Sequence, residues 1–263
     1  MSAEAKRIKI AIVSGASAGV GVEFIKQMDQ RYPDLDEFWM LARRRERMDE
    51  LAATLNTKAR IFAADVTNDS DMESFWAALE TVNPDVRFLI NNAGYGTTGR
   101  FETVGEDKAL GMIDLNNRSL VQMSKRCLPY MTAGGRIINL ASVAAFLPQP
   151  DFAVYAASKS FTLSFSRALN AELKQRKISV TAVCPNPMNT EFFSIAGDKP
   201  ASKSIKDIGV ERVDHMVSTA LRKAEKGRDL STSCWQAKVI HFLSRILPHR
   251  FILFVERKIG LFE

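Results

Sequence analysis

The sequence predicts a doubly wound α/β fold in a single domain, a parallel sheet covered by helices on both faces and followed by a helical C-terminal extension. Three observations predict it. Short β-rich runs alternate with longer stretches of helical periodicity through roughly the first 185 residues. The runs are apolar on both faces, as strands are when buried between two helical layers. The first of them passes straight into a glycine-rich turn, and 263 residues is an ordinary length for one α/β domain.

Strands are predicted over 8–13, 38–41, 60–64, 87–90, 136–140 and 178–183. A helix is predicted over 23–28 after the glycine-rich turn. Asn83 and Pro84 stop the helix before the fourth strand, and Gly134 and Gly135 end a long helix over 106–131. Another helix begins at Tyr155 and runs to about residue 175. Pro, Ser, Asp and Lys dominate the stretch 186–210, just past the sixth strand. Ligands of such folds bind beyond the carboxyl ends of the strands, so 186–210 is a candidate substrate loop. The main dinucleotide-binding and catalytic domain is placed at 1–230 and an amphipathic, basic extension at 231–263.

Composition excludes several classes. The chain is 46% hydrophobic and 25% charged, which argues for a globular core over disorder. Its net charge of +6 is spread through most of the sequence, and no basic stretch is interleaved with stacking aromatics, so nucleic-acid binding is not expected. Cys127, Cys184 and Cys234 lack CxxC spacing, and His215, His241 and His249 lack ligand spacing, so neither disulfides nor a metal is expected. No window holds the apolar length of a transmembrane helix. The expectation is a cytoplasmic protein, at most peripheral at a membrane surface.

Chemistry enters at three places. The first strand runs into Ser14, Gly15, Ala16, Ser17, Ala18, Gly19, Val20 and Gly21, and a helix follows. Glycines let backbone N–H groups approach a pyrophosphate, and the helix N-terminus attracts it. Strand before and helix after make this a dinucleotide signal of the Rossmann type. After the second strand, where an acid would hold a ribose 2′-hydroxyl, the chain reads Arg43, Arg44 and Arg45. Arginines there suit a 2′-phosphate, which favours NADP(H) with NAD(H) possible; the other reading is a solvated basic helix start. The third place is Ser142, with Tyr155 and Lys159 four apart on one helix face. An ammonium beside a phenol stabilises the phenolate, which makes the pair suited to proton exchange.

In order and spacing, SGASAGVG, the NNAG at Asn91 to Gly94, Asn116, Ser142, YAASK and the turn from Pro185 to Thr190 resemble the short-chain dehydrogenases/reductases over about residues 8–190. The resemblance implies interconversion of a ketone and a secondary alcohol. It implies that Ser14, Gly15, Ser17, Gly19, Val20 and Gly21 hold the dinucleotide, and that Asp65 and Val66 contact the adenine. Asn92, Ala93 and Gly94 would lie under the adenosine ribose. Asn116 would hold a relay water, Ser142 the substrate oxygen, and Tyr155 would exchange the proton. Lys159 would hold the nicotinamide ribose and depress the tyrosine pKa, while Pro185, Met188 and Thr190 would fix the carboxamide. A homodimer or homotetramer through the helices carrying Asn116 and Tyr155 is implied as well.

Two positions depart from the family pattern. Ser14 replaces the usual threonine and keeps its hydroxyl. Asn186 replaces the usual glycine after Pro185, which implies a changed backbone path or a side chain reaching the nicotinamide end; asparagine tolerates positive φ better than most residues. Apolar residues in the loop and tail, among them Phe192, Phe193, Ile195, Ile240, Phe242 and Leu243, favour a hydrophobic carbonyl or alcohol substrate, steroid-like or 3-oxoacyl. The competing function is a dinucleotide-sensing or scaffold protein without catalysis.

From Arg222 onward nine Lys and Arg stand against four acids. Over 235–262, apolar residues such as Ile246, Phe251, Phe254 and Ile259 alternate with Lys238, Arg245, Arg250, Arg257 and Lys258, and Pro248 divides two short helices. That face fits an anionic membrane surface or packing against the substrate loop or a neighbouring subunit.

Overall fold

Alternation of side chains along short apolar strands decides the layering. In the computed structural model of the chain, the described residues are 7–189 and 210–258. The strands are β1 (Lys9–Ser14), β2 (Glu37–Ala42), β3 (Lys58–Ala63), β4 (Asp85–Asn91), β5 (Arg136–Leu140), β6 (Ser179–Val183) and β7 (Leu230–Ser231). The helices are α1 (Gly19–Arg31), α2 (Arg45–Ala52), α3 (Asp69–Val82), α4 (Glu106–Ile113), α5 (Ser119–Cys127), α6 (Ala153–Glu172), α7 (Val213–Glu225), α8 (Trp235–Ile246) and α9 (His249–Lys258).

All seven strands pair in parallel in the order β3-β2-β1-β4-β5-β6-β7. Ala11, Val13, Phe38 and Met40 turn to one face, against Phe24 and Met28 of α1 and Val217 and Ala220 of α7. Their neighbours Ile10, Ile12, Trp39 and Leu41 turn to the other, against Phe75 and Leu79 of α3 and Met123 of α5. Both faces are therefore dry, which is why the strands read as continuous apolar runs. The strand order reverses between β1 and β4, so the loops leaving their carboxyl ends diverge and open a crevice there.

The six predicted strands are present, with ends moved by one or two residues. β7 was not legible, since two residues give no period, and it crosses the expected boundary at residue 230. α1 begins four residues earlier than predicted because Gly19 and Gly21 form its first turn. The predicted helix over 106–131 is interrupted: α4 passes through a π turn at Asp114–Arg118 into α5 and a 3₁₀ turn at Leu128–Tyr130. Asn83, with φ 44°, ends α3 as expected. α8 and α9 are divided at Leu247 and Pro248, and α8 is part of the fold: Ala237 is buried and Ile240 packs with Phe146, Leu163 and Cys184. Residues 190–209, including Thr190, Phe192, Phe193 and Ile195, lie outside the described residues, as do Ile259 and Phe262.

Candidate active site

The β1 turn and the β4 turn are locked to each other. Ser14 Oγ accepts the backbone N–H groups of Asn92 (3.1 Å) and Ala93 (3.2 Å) and donates to the Ile90 carbonyl (3.4 Å). Asn92 Nδ2 donates back to the carbonyls of Ser14 (3.0 Å) and Gly15 (3.1 Å). Ser14 is buried, with its hydroxyl spent inside the protein. It therefore braces the turn against β4. Gly15 has φ +68°, and a Cβ there would stand 2.6 Å from Asn92 Nδ2, so the turn requires glycine. α1 then starts at Gly19 with no side-chain cap from Ala18 and no acid in its first turn. Its first N–H groups are left for an anion, which fits a pyrophosphate.

Beside that turn, Arg44 Nε donates to Ser17 Oγ at 3.3 Å. The neighbouring Arg43 is 78% exposed, with Nη1 3.8 Å from Asp65 Oδ2. Asp65 is held in turn by the N–H (3.0 Å) and hydroxyl (2.7 Å) of Thr67, and Val66 is buried in the α3 layer. Arg44 thus sits against the glycine-rich turn while Arg43 reaches across to the end of β3, two guanidinium groups of the kind that can pair with a phosphate.

Tyr155 stands in the first turn of α6, buried, with its ring stacked on Phe152 at 4.2 Å between centroids. Its hydroxyl shares a hydrogen bond with Ser142, whose Oγ also accepts the Ala144 N–H at 3.2 Å. One helical turn on, Lys159 Nζ lies 5.6 Å from the Tyr155 ring centroid and donates to the Leu140 carbonyl at the end of β5 (2.7 Å). A Cβ on Gly94 would come within 2.9 Å of Asn116 Oδ1 and 3.3 Å of Lys159 Nζ, so the β4 turn passes directly against both. Ser142, Tyr155, Lys159, Asn116 and Gly94 are therefore brought together.

Asn116 occupies the π turn, a conformation that recurs at functional sites. Its Nδ2 donates to the Tyr95 carbonyl (3.0 Å) and to Ser158 Oγ (3.0 Å), while Oδ1 accepts the Tyr95 N–H (3.1 Å). With both donors spent, this amide is a positioning group that fixes the loop after β4 onto α6.

Burial sets the protonation states. It pushes the Tyr155 hydroxyl up to about 12, against the lowering effect of Ser142. It pushes the Lys159 ammonium down to about 8. The Cys184 thiol behind them is raised to about 12 by the same cause and stays neutral. Desolvation of the phenolate is the largest cause of the raised tyrosine value, with the Ser142 hydrogen bond working against it. Tyr155 is an acid held in its protonated form.

Pro185 closes the β6 end by accepting the Val143 N–H at 3.0 Å. Asn186 does not adopt a positive φ; its N–H donates to Glu211 Oε2 at 3.0 Å, Glu211 N–H donates to the Pro187 carbonyl at 2.8 Å, and Met188 bridges to Glu211. Glu211, buried, is thus the clamp that shapes this turn in place of a glycine. Neither Glu211 nor Phe152 and Ser158 was anticipated. Ser158 sits inside YAASK, so its place beside Lys159 was visible, but nothing local marks the other two.

Comparison with known proteins follows the same lines. The short chain dehydrogenase family profile matches residues 9–200. A sulfoacetaldehyde reductase of Chromohalobacter salexigens is 33% identical over 210 residues, 74% of this chain and 80% of the relative. A very-long-chain 3-oxoacyl-CoA reductase of Anas platyrhynchos is 30% identical over 208 residues, 74% of this chain and 65% of the relative. Among solved structures, a short-chain dehydrogenase from Sphingobium yanoikuyae in complex with NADPH superposes with a TM-score of 0.75 at 25% identity, covering 97% of this chain and 94% of the other.

Proposed function

The chain belongs to the short-chain dehydrogenase family, and we propose that within it the protein is an NADP(H)-dependent reductase of hydrophobic ketones, steroid-like or 3-oxoacyl, with Tyr155 as its proton donor. The observation that carries this reading is the buried Tyr155 hydroxyl, hydrogen-bonded to Ser142 with Lys159 one turn away. When bound, the nicotinamide supplies the hydride that reaches the carbonyl carbon. Ser142 then holds the substrate oxygen, Tyr155 gives it the proton, and Lys159 and Asn116 keep the pair oriented. The tyrosine is surrounded by Met112, Phe152, Val154 and Tyr95, an apolar lining that supports a hydrophobic substrate. A scaffold without catalysis would have no use for a desolvated lysine and tyrosine.

The test is a panel of ketones, reduced with NADPH or NADH and followed by nicotinamide absorbance. NADPH is expected to bind more tightly. Arg44→Ala or Arg43→Asp should weaken NADPH by roughly ten- to hundred-fold, the loss of one charge-assisted bond, while NADH is little changed. Equal affinity for the two cofactors in the wild type would overturn the arginine reading.

Exposed Leu110, Ile113 and Val121 on α4 and α5 and Phe161 on α6 support assembly through those helices. α8 and α9 support a peripheral membrane contact: Phe242 and Ile246 are 62% and 60% exposed, Phe251 and Phe254 51% and 58%, with Lys238, Arg245, Arg250 and Arg257 alongside. An apolar face with basic flanks matches an anionic bilayer. Among the described residues no helix is long and apolar enough to cross one. Intact protein should float with anionic liposomes at low salt, and a Phe242→Ser/Ile246→Ser/Phe254→Ser variant should not. Wild-type protein that stays in the soluble fraction would refute the membrane contact.

A further inference from the structure

A basic cavity of about 450 Å³, none of whose lining residues belongs to the Tyr155 site, lies by β7 at the edge of the sheet. Arg222 and Lys223 from α7, Lys226 and Arg228 from the turn that follows, and Lys238 from α8 line it, and no carboxylate does. The acids nearest in sequence are engaged elsewhere. Glu225 is held by Arg31 (2.7 Å) and Tyr32 (2.7 Å), and Asp229 by Arg167 (2.8 Å). Arg222 donates only to a neutral group, Thr219 Oγ1, at 3.1 Å. Five like charges therefore face one concavity without a counter-ion among the described residues.

Helix ends do not account for the arrangement. The carboxyl terminus of α7 favours Arg222 and Lys223. It offers nothing to Arg228 beyond it, and Lys238 sits in the first turn of α8, where the helix dipole disfavours a cation. A second, independent feature points the same way: Ser233 lines the cavity, and its buried Oγ has no hydrogen-bond partner among the described residues. A buried hydroxyl left unsatisfied costs stability unless a ligand or water meets it. Cations, a free hydroxyl donor and room for several oxygens are what a phosphate group requires.

We propose that this cavity is a binding site for a phosphate-bearing anion of two or more charges, distinct from the cofactor's own phosphate contacts and independent of the catalytic reading. The anion can be a soluble oligophosphate or the phosphate monoester of a lipid headgroup. Lys238 joins the cavity to the helix that also exposes Trp235 and Phe242, so a headgroup held there would lie beside the apolar face of α8.

The experiment is calorimetric titration of NADPH-saturated protein with sodium tripolyphosphate, NADPH occupancy being checked in its own titration. Wild type and Arg44→Ala should each bind one equivalent, and Lys226→Glu/Arg228→Glu should bind at least tenfold more weakly while keeping the wild-type Tm and NADPH affinity. Absence of binding in the wild type, or equal binding in the charge-reversed variant, overturns the proposal. Flotation with phosphatidylcholine vesicles carrying phosphatidic acid or, at equal molar fraction, phosphatidylserine then separates the sources. Preference for phosphatidic acid that the charge reversal abolishes assigns a lipid headgroup. Tripolyphosphate binding without that preference assigns a soluble anion.

Discussion

Tyr155→Phe is expected to lower ketone reduction by roughly 10²–10⁴-fold, the range that a positioned general acid contributes. Cofactor affinity should stay close to that of the wild type, because the ring still stacks on Phe152 and Lys159 still has the Leu140 carbonyl. The size of the loss follows from the protonation state. Burial holds the Tyr155 hydroxyl at a pKa of about 12, so at neutral pH essentially every molecule carries the proton that reduction consumes. Cys184, the other buried acid behind the pair, is held at about 12 too, but as a thiol it is a weak hydrogen-bond donor to a carbonyl oxygen. Steady-state kinetics with a fluorescence titration of NADPH separates the two effects. Turnover near the wild-type rate would mean that the proton comes from elsewhere, whereas a matching loss of NADPH affinity would move Tyr155 from proton transfer to cofactor binding.

The parts of this site legible in the sequence are those set by local spacing. The Gly15 to Gly21 turn is bounded by a strand and a helix, and Tyr155 and Lys159 are one helical turn apart, so both could be read from short windows. What escaped reading depends on contacts between distant segments. Glu211 reaches Asn186 across 25 residues, and Asn116 reaches Ser158 across 42, with no local signature in either case. Ser14 was correctly placed at the turn, yet its hydroxyl goes to β4 and not outward, a choice fixed by the pairing of β1 with β4. Proximity of Lys159 to Tyr155 is a local fact readable from the spacing, whereas the depth of burial that raises the tyrosine pKa is a property of the whole fold.

Lys159→Met should reveal that depth directly. The lysine is 5% exposed, and burial lowers its pKa from 10.5 to about 8. A folded-state pKa below the unfolded one means that the unfolded chain binds more protons between about pH 8 and 10.5. The charged lysine therefore costs stability at neutral pH, and the cost disappears as the pH rises through that window. A shift of this size corresponds to about 3 kcal/mol. Tyr155, Cys127 and Cys184 are shifted upward and act in the opposite sense at high pH; Tyr155 and Cys127 cancel in the difference, while Cys184, raised chiefly by burial and lowered in part by the Lys159 charge, leaves a secondary contribution. The variant loses the bond to the Leu140 carbonyl at every pH, a constant penalty on the order of 1 kcal/mol. The stability of Lys159→Met relative to wild type should thus fall by about 3 kcal/mol between pH 7.5 and 10.5 in urea titrations. On the proposed roles of the ammonium, orienting Tyr155 and meeting the ribose, turnover and NADPH binding should both be impaired in the variant. In the wild type, kcat/KM for NADPH should decline above about pH 8 as the lysine deprotonates. A stability difference that does not change with pH would show that Lys159 keeps an ordinary pKa, and the account of a lysine desolvated beside Tyr155 would fail with it.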